Sequence, residues 1–290
     1  MAFDKEMRGF LATAWPGAIA SAMPQLLILI GVVAASASPT AVAWIYFANR
    51  LIELPLGLVG VAMGTVLVSE LSHARDDDAA FRRTHAHGLV LALGLSLPAA
   101  AGLIVLAAPT VRMLFQYGAF GADDADATAR VLMVLALGLP AQVLVKAQAA
   151  TFFAQGDTRT PLAATIVALA AALALAVLLA PQLGGEGVAL ALALAAWIAA
   201  TVLLVRARQR FGPALSAAAR RKVAAIVATS AAMGGALWLA AAMMLPHAAH
   251  RATAALMTGF LIGAGILLYG LLLRLFGVVG RGEIRAALRR

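Results

Sequence analysis

Arg50 and Glu53 stand three residues apart inside the apolar run from Ala41 to Val68, and Asn49 adjoins the arginine. Positions i and i+3 share a helix face, so the guanidinium and the carboxylate can meet. The run is long enough to cross a bilayer, where an arginine at the helix centre costs about 2.5–3.5 kcal/mol on insertion scales. Such a side chain belongs in a bundle interior or a wet cavity, and an anionic ligand entering the membrane is a reason to keep it. The residues allow two readings. Arg50, Asn49 and Glu53 form a polar patch that grips an anionic headgroup, or the arginine snorkels outward and pairs with Glu53 only to hold helices together. Lys146, one turn after Gln142, has the same two readings. Snorkelling suits it better, because its ammonium can reach water within the length of its own stem.

These groups must be positioned by helices. The chain has 290 residues, 63% hydrophobic and 12% charged, with a mean hydropathy of +0.94. A soluble domain carries about twice that charged fraction. Apolar stretches of about 20 residues recur along the length, each enough for ~30 Å of hydrocarbon. The expected fold is therefore all-α, a polytopic transmembrane bundle of about eight spanning helices. They fall at about 10–36, 41–71, 88–116, 127–151, 161–180, 187–205, 222–245 and 252–276. Trp44 and Tyr46 are interfacial aromatics, which puts Arg50 about 9 Å deeper than Trp44.

Breakers mark the turns: Ser36 to Pro39, Gly118 to Gly121, Pro181 to Gly185 and Leu245 to His247. Pro24, Pro55, Pro98 and Pro140 lie inside expected helices, where each removes a ladder bond and favours a kink. Between Gln155 and Pro161 the chain reads as a loop feeding a helix, with Thr160 as N-cap, Pro161 at the first helical position, and Asp157 as a second capping candidate. Ser72 to His87 reads as a charged, solvated connector.

Of the 22 lysines and arginines, only Arg112, Arg130 and Arg251 fall on one side of the expected membrane, beside Asp123, Asp124 and Asp126; Arg50 is within it and the rest are opposite. That bias places both termini in the cytoplasm. The net charge of +9 is thus a topology signal, and no nucleic-acid partner is expected. The basic stretch from Arg206 to Lys222 and the tail from Arg281 to Arg290 are suited to anionic lipid, at about 1 kcal/mol per basic residue. There is no cysteine, and the five histidines make no metal site; His85 and His87 are two apart and do not share a helix face. Nothing resembles a nucleophile with its base, paired carboxylates or a phosphate-cradling glycine loop. The expectation is a protein that is not an enzyme and holds no cofactor or metal.

Several segments together resemble the MurJ/MviN lipid II flippase family of the MATE-like exporter superfamily. They are Tyr46 to Leu67, Leu114 to Phe120, Gly138 to Ala141, Lys146, and Phe153 to Pro161, agreeing in order and spacing. The resemblance is dense over about residues 10–210 and weaker beyond. It implies one six-helix lobe over 1–210, similar to the family's second lobe, and a further helix pair with a basic cytoplasmic tail over 211–290. The family's first lobe would then be absent or be a separate N-terminal half. By position, Arg50 matches the arginine of the family's Ala-Asp-Arg motif, which lines the cavity and is implicated in binding the lipid's pyrophosphate. Asn49 stands where that motif has aspartate. Some relatives place Asp or Asn for a coupling cation in the helices matching the first and fifth here; the corresponding stretches, Gln25 to Val32 and Thr165 to Ala172, carry neither.

The resemblance implies translocation of lipid II, or a similar polyprenyl diphosphate lipid, across the bacterial inner membrane by alternating access. The binding group would be Arg50, Asn49, Glu53 and Lys146. Rival readings are an exporter of another polyprenyl-linked saccharide, a drug antiporter with Glu53 as its acid, and a non-transporting scaffold or half-transporter.

Overall fold

A computed structural model describes residues 14–15, 17–36, 39–61, 67–74, 77–213, 215–247 and 250–276. Every regular element among them is helical. In chain order they are α1 (Met23–Ala35), α2 (Pro39–Val61), α3 (Val68–His73), α4 (Asp78–Val105), α5 (Ala107–Phe115), α6 (Ala122–Ala154), α7 (Arg159–Phe211), α8 (Ala217–Met244), a 3₁₀ turn (Leu245–His247) and α9 (Arg251–Leu275). Six of the described helices are long and apolar enough to cross a membrane: α2, α4, α6, α7, α8 and α9. The expected fifth and sixth spans, 161–180 and 187–205, are both in α7, and the expected first span, 10–36, is described only in part. The basic tail and the motif residues 62–66 lie outside the described residues.

α7 spans 53 residues, yet it is a hairpin of two helical arms. A straight helix of that length would separate its ends by ~80 Å. Instead Arg210, near its end, donates to Asp157, just before its start, at 2.5 Å. The reversal is at Gly184, whose φ of 55° and ψ of −133° leave the helical region. A positive φ suits glycine because it has no Cβ to clash. Three residues on, a Cβ added to Gly187 would lie 2.4 Å from the Leu179 carbonyl oxygen, so the returning arm is pressed against the outgoing one. The turn expected at Pro181 to Gly185 is there, made by one residue rather than by a loop.

Two expectations at helix ends need correction. The stretch read as a solvated connector becomes helical at Asp78, with Asp77 accepting from the N–H groups of Ala79 and Ala80 at 2.8 and 3.0 Å. Those two backbone bonds hold the Asp77 carboxyl below its ordinary value. Phe81, His85 and Gly88 follow at i, i+4 and i+7 and are buried, while Arg82 and Arg83 stay exposed on the other face. The second correction concerns Thr160, which lies inside α7. The acceptor is Asp157, which takes N–H groups from Arg159 and Thr160 at 3.1 and 3.0 Å and the Thr160 hydroxyl at 2.8 Å. A carboxylate carries more acceptor capacity than a hydroxyl and complements the helix dipole.

α6 is the axis of the bundle, packed against α2, α3, α4, α5 and α7. Gly138 lets it touch α7: a Cβ there would sit 2.9 Å from the Ala193 Cα. Alanines line the same contact, including Ala189, Ala193, Ala196 and Ala200, all buried. Small residues allow such approach between helices in lipid. Phe152 of α6, fully buried, meets Phe211 at the end of α7, with ring centroids 5.4 Å apart. α8 packs on α4 and α9, and α9 reaches α5. Their contact forms a smaller, separate core of Leu106, Met233, Leu237, Leu261 and Tyr269. Pro55, Pro98 and Pro140 sit inside α2, α4 and α6, whereas Pro24 falls at the first turn of α1.

Candidate functional site

α2 presents two unlike faces. Ile45, Ala48, Ile52, Leu56 and Val59 are buried against the bundle. Tyr46, Arg50, Glu53, Leu54 and Leu58 are exposed on the other side, with Asn49 half-buried at the edge. The helix holds this arrangement by period alone, since 46, 49, 50 and 53 fall on one stripe.

On that stripe the polar groups are fully engaged with one another. Arg50 Nη1 donates to Glu53 Oε2 at 3.1 Å, and Nη2 donates to the Tyr46 hydroxyl at 2.8 Å. The guanidinium also lies over the Tyr46 ring, 5.0 Å from its centroid. Asn49 Nδ2 donates to the other Glu53 oxygen at 2.8 Å. An aspartate at position 49 could not make that bond; the amide lets Glu53 keep two partners. The cluster is a neutral ion pair held open to its surroundings, with Arg50 and Glu53 side chains 56% and 49% exposed. Tyr46, read from the sequence only as an interfacial aromatic, is therefore a partner of Arg50. Its spacing of four residues was the available signal.

Lys146 is elsewhere. It projects from α6 toward the later turns of α2, where its ammonium donates to the Leu56 carbonyl at 3.5 Å and faces Gly60, two turns beyond Glu53. Leu56 is about 9 Å farther along α2 than Arg50. The lysine lines a cavity of about 340 Å³ between α1, α2 and α6, together with Gln142, Met23, Leu27 and Phe153. So the structure joins three of the four expected site residues and sets the fourth farther along α2, out of contact with them. The carbonyl freed by Pro55 is that of Leu51, one turn earlier; the lysine uses Leu56 instead.

A further polar pair lies within the core. His85 Nε2 and Gln148 Oε1 are 2.5 Å apart across α4 and α6, both residues almost wholly buried. Position 85 falls in the stretch expected as a connector, and its 63-residue separation from Gln148 leaves no local signal of the pair. Among the described residues no cluster of three or more His, Asp or Glu side chains could hold a metal ion.

An all-helical bundle with membrane-length apolar helices, a helix hairpin and an ion pair on an open helix face has the build of a multi-pass membrane protein. Comparison with known proteins agrees and narrows it. The family model for the lipid II flippase MurJ matches residues 1–259, and the chain belongs to that family. It is 34% identical to a probable lipid II flippase MurJ from Rhizobium tropici, over 99% of this chain and 55% of the relative. It is 35% identical to the corresponding protein of Rhizobium meliloti (strain 1021), over 98% of this chain and 54% of the relative. The chain thus spans about half the length of the curated relatives it matches. Among solved structures it superposes on a lipid II flippase MurJ in an inward-closed conformation with a TM-score of 0.77 and 23% identity, covering 94% of this chain and 55% of the other. A MATE protein in the bent conformation matches with a TM-score of 0.60, 12% identity, and 88% and 64% coverage. The fold is shared across both.

Proposed function

We propose that this chain acts in translocation of lipid II, or a closely similar polyprenyl diphosphate lipid, across the bacterial inner membrane. It would supply the equivalent of a second lobe over 1–210 and a final helix pair over 211–290, with its partner lobe in the same polypeptide or a separate chain. Family membership supports the cargo class, and the open Arg50–Asn49–Glu53 stripe is the observation that carries the reading to particular residues. A stripe with this much polarity is costly against lipid tails, so it faces a hydrated cavity or a partner lobe. The smaller core where α8 and α9 meet each other and Leu106, apart from the main one, supports a division after residue 210. The excess of basic residues supports cytoplasmic termini.

The chemistry is binding without bond making. Arg50 rests on Glu53 until a diphosphate arrives, and the two anions then compete for one guanidinium. Glu53 holds only Nη1, so a phosphate can take that donor with little reorganisation while Nη2 stays on the Tyr46 hydroxyl. The relatives' names favour this reading over drug antiport, saccharide export or a scaffold.

Native mass spectrometry of the purified protein with lipid II tests it. Arg50→Ala should lower lipid II retention about ten-fold or more, the worth of a lost charged hydrogen bond. Glu53→Gln, which removes the competing anion, should retain or raise it. Equal retention by wild type and Arg50→Ala would remove Arg50 from the site.

A further inference from the structure

At the acidic end of the bundle the cations are treated unequally. Arg112 donates through Nε and Nη2 to Asp126, at 3.1 and 2.7 Å. Arg130 donates to Glu186 at 2.6 Å. Asp124 is engaged by the Trp44 indole N–H at 3.0 Å and by the Gly121 N–H at 3.3 Å. Arg251, at the start of α9, meets no carboxylate among the described residues. Its guanidinium donates to the Gln116 carbonyl and lies over the Tyr117 ring, 5.1 Å from the centroid. These contacts aim the group without neutralising it.

The place where it is aimed is a groove of about 720 Å³ between the α5 end and the α9 start. Arg112, Arg251, His250 and Tyr117 form its polar part, while Pro109, Met113 and Leu245 line its apolar part. No carboxylate lines it. The groove is therefore amphipathic and carries uncompensated positive charge, next to helices that the membrane must cover.

We infer that this groove binds the phosphodiester headgroup of an anionic membrane lipid, with Arg251 as its principal donor and Arg112 at its edge. The lipid's first acyl carbons would rest on Pro109, Met113 and Leu245. The geometry distinguishes this site from the Arg50 stripe: Arg50 already has a carboxylate, whereas Arg251 has room and charge for one more anion. Such a lipid would tie α9 to α5 where protein contact alone is sparse. The inference does not depend on the cargo proposed above.

Purified protein in detergent, titrated with phosphatidylglycerol, phosphatidylethanolamine or inorganic phosphate and read by native mass spectrometry, is the test. Wild type should retain phosphatidylglycerol over phosphatidylethanolamine. Arg251→Gln should lower phosphatidylglycerol retention about ten-fold, and Arg251→Lys should restore most of it. Ala255→Leu, which fills the groove while leaving Arg251 in place, should lower it as well, and covers the case in which the arginine variant does not fold. Unchanged phosphatidylglycerol retention in both Arg251→Gln and Ala255→Leu would overturn the site. Displacement of the lipid by inorganic phosphate alone would overturn the lipid assignment.

Discussion

The central helix α6 and the peripheral helix α9 are both apolar and both long enough to cross a membrane, but they meet opposite surroundings. In the apolar window of α6, 72% of the residues are buried within the protein, against 17% for α9. α6 is walled by five other helices, and its polar groups Gln148, Thr151 and Lys146 find partners in the interior. α9 shows Leu256, Phe260, Ile266 and Leu267 to the outside and is tied to α4 by one hydrogen bond, from the Tyr269 hydroxyl to the Gly94 carbonyl at 2.7 Å. The difference shows how one lipid-compatible composition serves two roles. In α6 side-chain size is dictated by neighbours, and in α9 it is dictated by the hydrocarbon.

Glycines sharpen that contrast most. Gly138→Leu in α6 should separate α6 from the returning arm of α7, since even a methyl there would press on the Ala193 backbone. The expected loss is about 3 kcal/mol, seen as a lower thermal midpoint in detergent. Gly259→Ala in α9, with nothing within 4 Å of the added carbon, should be neutral or stabilise by less than about 1 kcal/mol. If both variants melted alike, the division between packed and peripheral helices would be wrong.

The buried pair gives the next largest effect. Gln148→Leu strands the His85 ring without its partner, at a cost of about 1–3 kcal/mol. Replacing both, as His85→Phe with Gln148→Leu, should recover much of that loss, because no orphaned polar group remains. A double variant whose loss equals the sum of the two single losses would show that the pair is not coupled.

Asp157 is the smallest of the three. Asp157→Ala removes both the cap of α7 and the tie to Arg210, for about 1 kcal/mol. Burial pushes the Asp157 carboxyl up, but bonds from Thr160 and the Arg210 charge outweigh it and hold the group below its ordinary value. A depressed pKa contributes stability that is present above the unfolded value of about 3.9 and is lost as pH falls through the folded one. The wild type and Asp157→Ala should therefore differ at neutral pH and converge in acid. A constant difference across that range would mean that the carboxylate charge is idle.

Sequence reading reached what helical period controls. The Arg50–Glu53 pair follows from a spacing of three, and the reversal near Gly184 follows from the Pro181 to Gly185 cluster. The start of α4 was missed because Asp76, Asp77 and Asp78 drew the eye to solvent, although Phe81, His85 and Gly88 already carried the stripe of a buried face. Of the two capping candidates before α7, residue type and adjacency to Pro161 favour Thr160, but the Asp157 carboxylate has more to offer the free amides and takes them.

By itself the sequence determined the helices, their membrane-length apolar stretches and the polar stripe of α2, because each depends on residues within a turn of one another. The tertiary structure alone decided that His85 meets Gln148 across 63 positions, that Lys146 reaches the Leu56 carbonyl rather than Arg50, that Arg210 closes α7 on Asp157, and that Arg251 is left with a carbonyl and a ring. Those partnerships hang on how each helix is rotated about its axis against its neighbours. Close packing of small residues sets that rotation, and no local pattern records it.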